Sequence, residues 1–199
     1  MNYKSISFFL GLLCFPISIL SFINILYASY FDYFLSINSY IITLFLSLLI
    51  GIGFCLFGRH SDKKIKFVDQ LILIILSYFL VGFLISIPFY LGNLKISFIN
   101  AFFESISGLT GTGFSIYKNI KYLDPTLIIW RSSSQWIGGL YFLFFLILIF
   151  SNKQFTYKMS NLTYSGDGSI NSENNIKGLL SKIFIIYTIL SFVIFLSLN

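Results

Sequence analysis

The sequence predicts an all-α integral membrane protein with about five transmembrane helices and one short helix that enters the membrane and turns back. Three observations predict it. The 199 residues are 57% hydrophobic and only 10% charged, against about 25% charged in soluble domains, and the mean hydropathy is +0.88. Apolar runs near the roughly 20 residues that a helix needs to cross a bilayer recur along the chain. The lysines and arginines fall between those runs, where topology rather than ligand binding places them.

The first run covers 6–28. Lys4 precedes it in the manner of a signal peptide, but the run exceeds the roughly 7–15 apolar residues of such a segment and lacks a small-residue cleavage site. It reads as a retained span. The second run, 40–57, carries Gly51 and Gly53, read as packing positions, and ends in the basic loop "GRHSDKKIKF". A third run covers 71–90, a fourth 127–150 and a fifth 179–198. These divide the chain into a two-span unit with its basic loop (1–66), a span–loop–span repeat (67–150), a polar linker (151–177) and the first span of a further repeat (178–199).

Orientation follows from the positive residues. With the N-terminus in the cytoplasm, Lys4, Arg59, Lys63, Lys64, Lys66, Lys153, Lys158, Lys177 and Lys182 lie inside, and Lys95, Lys118 and Lys121 outside. Nine against three obeys the positive-inside rule. The +6 formal charge has no dense basic stripe behind it, so nucleic acid is not an expected partner. Cys14 and Cys55 lack metal or redox spacing and read as small apolar residues; a single histidine excludes a histidine-rich metal site. Phosphate loops, catalytic triads and zinc spacings are missing from the sequence, so an enzyme is not expected. "YSGDGS" at 164–169 reads as flexible linker, and the sequon at Asn161, on the inner side, as unmodified.

Between the third and fourth runs stands "ISFINAFFESISGLTGTGFSIYKNIKYLDP". Residues 96–107 are helical in pattern, with Ile99, Phe102, Phe103 and Ile106 three or four apart. At about 1.5 Å per residue this helix is too short to cross, and the segment that holds it, 92–125, both leaves and rejoins the outer face. Irregular backbone survives at membrane depth only when buried in protein or lining water. In Thr110-Gly111-Thr112-Gly113 the glycines accept dihedrals that turn successive carbonyls toward one axis, and such carbonyls can replace the hydration shell of potassium. The negative end of the short helix would face the cation. The alternative is an extracellular turn packed on the bundle.

The block "NAFFESISGLTGTGFS", followed by "DPTLIIWRSSSQWIGGL", resembles the first pore repeat of the Trk/Ktr superfamily of potassium uptake proteins, closest to the TrkH type. Both motifs match in order and spacing, and the two N-terminal spans with their basic loop are similar to that type's extra N-terminal unit. The resemblance implies a re-entrant pore helix and filter loop, with Thr110, Gly111, Thr112 and Gly113 holding the transported ion, K+, and with no further cofactor. It also implies a cytoplasmic nucleotide-binding regulatory subunit, and the bacterial inner membrane as location. Asn100 stands where the family often has Asp. Gly111 stands where it usually has Thr, which puts selection of potassium over sodium in question.

Asp124-Pro125 signals a helix start, Asp as cap and Pro in the first turn. Arg131 and Gln135 then share one helix face. Two readings stay open: Arg131 reaches the outer interface beside Trp130, or Arg131 and Gln135 brace the filter loop through its carbonyls or through Glu104. Ser134, Gly138 and Gly139 form a small face for close helix approach.

A carbonyl ring needs about four loops and this sequence has one. The expected partners are therefore membrane lipid and further pore repeats from a longer or second chain, with a homo-oligomer as the complete state. The competing expectation is a membrane scaffold or truncated remnant that transports nothing.

Overall fold

The computed structural model describes residues 2–33, 37–60, 66–92, 96–120, 123–150 and 173–197. All regular structure among them is helical: α1 (Tyr3–Tyr30), α2 (Ile37–Gly58), α3 (Phe67–Leu91), α4 (Phe98–Leu109), α5 (Pro125–Phe150) and α6 (Glu173–Ser197). α1, α2, α3 and α5 are long and apolar enough to cross a membrane; α6 carries a shorter apolar part, Phe184–Ser197. The linker residues 151–172, with "YSGDGS" and the Asn161 sequon, lie outside the described residues, as do Lys63, Lys64, Lys95 and Lys121.

Each of these four helices extends beyond its apolar run, because the backbone ladder continues into flanking residues, and side-chain caps hold the starts of α1 and α5. Asn2 caps α1, its side chain accepting from the Ser5 amide at 3.3 Å. α5 begins at Pro125, and Asp124 Oδ1 accepts from the Thr126 amide at 2.9 Å, so the Asp-Pro start signal is realised. α4 starts at Phe98, two residues later than the periodicity indicates, because Ser97 is extended (φ −63, ψ 152) and its hydroxyl accepts from the Asn100 amide.

The chain divides into two compact units, Met1–Gly139 and Leu140–Asn199. In the first, α1 and α2 pack as a close pair. A Cβ on Gly11 would lie 2.7 Å from both the Gly51 carbonyl oxygen and Cys55 Sγ, so glycine permits the approach. Gly51 is buried in the same contact. Gly53 is not: it is exposed and a Cβ there would meet nothing, so its expected packing role is corrected. Several hydroxyls within the spans are satisfied locally, although Ser5 Oγ, Ser21 Oγ and Asn24 Oδ1 of α1 are buried with no hydrogen-bond partner among the described residues. The hydroxyls of Ser18, Thr43, Ser77 and Ser86 donate to carbonyls three or four residues back, at 2.7–2.8 Å, which removes the cost of an unpaired hydroxyl in a water-free environment.

Three contacts seat the short helix. Ser105 Oγ donates to the Gly82 carbonyl of α3 at 2.8 Å. Trp130 of α5, 1% exposed, donates from Nε1 to the Ile85 carbonyl of α3 at 3.0 Å. Tyr40 of α2 donates its hydroxyl to Thr126 Oγ1 at 3.2 Å. The last two join α5 to α3 and α2 to α5, which builds the frame around α4. In the second unit, Tyr141, Phe144 and Phe145 form an aromatic run on α5, and the described apolar side chains of α6 from Phe184 to Leu196 are largely exposed.

Candidate functional site: a braced re-entrant loop

α4 is 12 residues long, about 18 Å, and ends in the loop that begins at Thr110. The Thr110 and Gly111 amides donate back to the carbonyls of Ile106 and Gly108 at 2.9 and 3.0 Å, and the Gly113 amide to that of Ser107 at 3.4 Å. The loop thus spends its donors on the unpaired carbonyls at the end of α4. Gly111 (φ +69) and Gly113 (φ +77) take the left-handed conformation that glycine adopts without a Cβ penalty. Among the described residues, the carbonyl oxygens of Thr110, Gly111 and Thr112 accept no hydrogen bond, and all three residues are exposed.

Hydroxyls hold the loop's shape. Thr110 Oγ1 donates to the Ile106 carbonyl at 2.8 Å, and Thr112 Oγ1 lies 3.2 Å from both the carbonyl and the hydroxyl of Ser107. Ser107 Oγ in turn donates to the Phe114 carbonyl at 2.5 Å, clamping the exit of the loop to the end of α4.

Behind the loop is an ion pair. Glu104, fully buried, and Arg131, 8% exposed, approach with Nε 2.5 Å from Oε1. The contact lies off the N–H direction, since Nε makes no directed hydrogen bond, so the attraction is chiefly charge on charge. Arg131 Nη2 reaches past Glu104 and donates to the carbonyls of Gly113 (3.1 Å) and Phe114 (3.2 Å). Glu104 also accepts from Ser115 Oγ at 3.0 and 3.2 Å and from the Ile116 amide at 3.0 Å. A buried carboxylate survives only when its charge and lone pairs are so matched. Of the two readings open for Arg131, the side chain takes the inward one. Gln135, one turn on, is half-buried, and among the described residues no hydrogen bond ties it to the loop. The Gly113 carbonyl differs from its three predecessors, because a guanidinium already occupies one of its lone pairs.

Close packing fixes α5 against this assembly. A Cβ on Gly138 would overlap the Leu109 carbonyl oxygen, and one on Gly108 would overlap Ser134 Oγ, so the small face meets the end of α4. Tyr117 lies just beyond, its amide donating to Ser115 Oγ at 3.1 Å and its buried hydroxyl without a partner. Burial, with Glu104 nearby, pushes its pKa up to about 12, against the opposing pull of Arg131. Ser107, Ser115 and Tyr117 were not picked out by sequence reasoning. The signal for the serines was small hydroxyl residues flanking both ends of T-G-T-G, a pattern that closes on nearby backbone.

The profile of a family described as "TrkH: Cation transport protein" matches residues 36–198. An uncharacterized cation transporter of Methanocaldococcus jannaschii is 34% identical over 101 residues, covering 48% of this chain and 21% of that protein. The Trk system potassium uptake protein TrkH of Halomonas elongata is 32% identical over 98 residues, 48% of this chain and 20% of the relative. Its namesake from Vibrio parahaemolyticus is 33% identical over 101 residues, 50% and 21%. The matched segment therefore spans about a fifth of each relative's length.

Proposed function

The chain belongs to the TrkH family of cation transport proteins, and from that premise we propose that it supplies one filter loop of a potassium uptake system. In this reading the carbonyls of Thr110, Gly111 and Thr112 replace part of the water shell of a potassium ion. Loops from further polypeptide, in the same or another chain, complete the ring. The observation that carries the reading is the division of labour along the loop. The Gly113 and Phe114 carbonyls are held by Arg131, while the three preceding carbonyls accept no hydrogen bond among the described residues. A turn that merely packs has no need of a buried ion pair to set its exit.

The short helix contributes as well. Its C-terminal end carries a partial negative charge of about half an electron, attractive to a cation at the loop. Ion entry runs from the outer face to the cytoplasm, with the chain in the bacterial inner membrane and its N-terminus in the cytoplasm. A potential of 100 mV supplies about 2.3 kcal/mol per charge, sufficient for roughly fifty-fold accumulation. The curated relatives named as Trk system proteins support assembly with a Trk-type partner, and a cytoplasmic nucleotide-binding regulatory subunit is the partner we propose.

Growth of a potassium-uptake-deficient host on limiting potassium tests the function, with the protein expressed from its full open reading frame. Rescue by the wild type that disappears with Gly113→Ala supports it. Membrane insertion without rescue contradicts it.

A further inference from the structure

A second charged feature lies at the end of the first unit where α1 begins, away from the loop. Lys4 follows the cap of α1, Arg59 and His60 follow α2, and Lys66 immediately precedes α3; all four are exposed. Two contacts gather them. A Cβ on Gly58 would stand 2.5 Å from the Lys4 carbonyl oxygen and 2.6 Å from the Phe8 amide nitrogen, so the last turn of α2 lies on the first turn of α1. The Asn2 amide donates to Asp69 Oδ2 at 3.3 Å, which ties the start of α1 to that of α3. Asp69 is 3% exposed, so this carboxylate is turned inward and, among the described residues, leaves the lysines and arginine dominant at the surface.

We propose that this end is a site for the phosphate headgroup of an anionic phospholipid. Lipid is favoured over free phosphate because the same helix ends expose a collar of large apolar side chains beside the charges. Tyr3, Leu56, Phe57 and Val68 are each more than 60% exposed. A lipid's acyl chains cover that collar while its phosphate meets the cations; inorganic phosphate covers none of it. The arrangement suits the depth at which the aromatic and long cationic side chains of membrane proteins settle. Each exposed lysine or arginine near an anionic membrane surface strengthens attraction roughly fivefold, so three together amount to about a hundredfold. The site is independent of the transport reading and stands or falls separately.

The test is native mass spectrometry of the detergent-purified protein titrated with phosphatidylglycerol, phosphatidylcholine or inorganic phosphate. The expected result is retained phosphatidylglycerol, weakened about a hundredfold in Lys4→Gln/Arg59→Gln/Lys66→Gln and preserved in Lys4→Arg/Lys66→Arg. Lys118→Gln, which alters a charge in the loop between α4 and α5, should bind as the wild type does. If circular dichroism finds the triple variant unfolded, each single glutamine variant is measured, with about a fivefold loss expected. Undiminished phosphatidylglycerol binding by the glutamine variants overturns the proposal, as does equal retention of phosphatidylcholine. Competition by inorganic phosphate as effective as by lipid overturns it too.

Discussion

Replacing Glu104 and Arg131 with glutamine, singly and together, measures what the buried pair contributes. Removing one partner of a buried ion pair costs about 3–5 kcal/mol, because the other charge is left in a water-poor site. Arg131→Gln belongs at the upper end. It strands a fully buried carboxylate whose remaining donors are Ser115 Oγ and the Ile116 amide, and it releases the Gly113 and Phe114 carbonyls. Glu104→Gln belongs at the lower end, since Arg131 keeps those two carbonyls. The double variant leaves no stranded charge, so it should cost about 2–3 kcal/mol less than the sum of the single changes, near the top of the coupling range for residues in contact. For a chain of this size about 1 kcal/mol moves the thermal midpoint by roughly 2–4 °C. Single losses of about 6–20 °C and a clearly sub-additive double variant are expected from intrinsic tryptophan fluorescence on heating. Strict additivity would refute the reasoning, because a side chain that only reaches the interface has no coupling to Glu104.

Three further expectations concern single positions. Gly113→Ala places a Cβ at φ +77 with open space around it, so only backbone strain of about 1–2 kcal/mol opposes it; rubidium uptake should fall far more than the melting temperature. Gly138→Ala drives a methyl against the Leu109 carbonyl oxygen, displacing the end of α4, and should lower both thermal stability and the potassium-to-sodium uptake ratio, where an exposed-helix alanine would change neither. Tyr117→Phe deletes a buried hydroxyl that has no partner, and should leave stability at pH 7 unchanged or raise it by about 1 kcal/mol. Because the folded pKa of Tyr117 is raised to about 12 from 10, the folded state holds its proton longer than the unfolded chain. Its stability contribution is complete below pH 10 and is lost as pH rises toward 12. An alkaline unfolding profile read by circular dichroism should show that loss in the wild type and a smaller one in Tyr117→Phe.

The spans were legible because apolar length is a strong and local signal: α1, α2, α3 and α5 each contain their apolar run, and only the ends moved outward. The start of α4 shifted because a single side chain, Ser97, decides it by capping, which periodicity does not register. The glycines of the loop were readable for the same local reason, as both sit at positive φ. Gly53 misled, since a glycine within a span has the same appearance whether it faces a neighbour or open space. The brace was only half readable. Glu104 and Arg131 are 27 residues apart on different helices, and nothing local decides whether an arginine near a helix start turns outward to water or inward to a carboxylate. The fold decides it, by packing Gly138 on Leu109 and Trp130 on Ile85. Nor could spacing separate the Gly113 carbonyl, held by a guanidinium, from the three carbonyls before it.

Anomalous diffraction from crystals of the assembled transporter grown in rubidium probes the central claim most directly. A rubidium peak in contact with the carbonyl oxygens of Thr110, Gly111 or Thr112, with Arg131 still on Gly113 and Phe114, is the predicted result. A conducting protein whose rubidium density avoids those oxygens altogether would contradict the account.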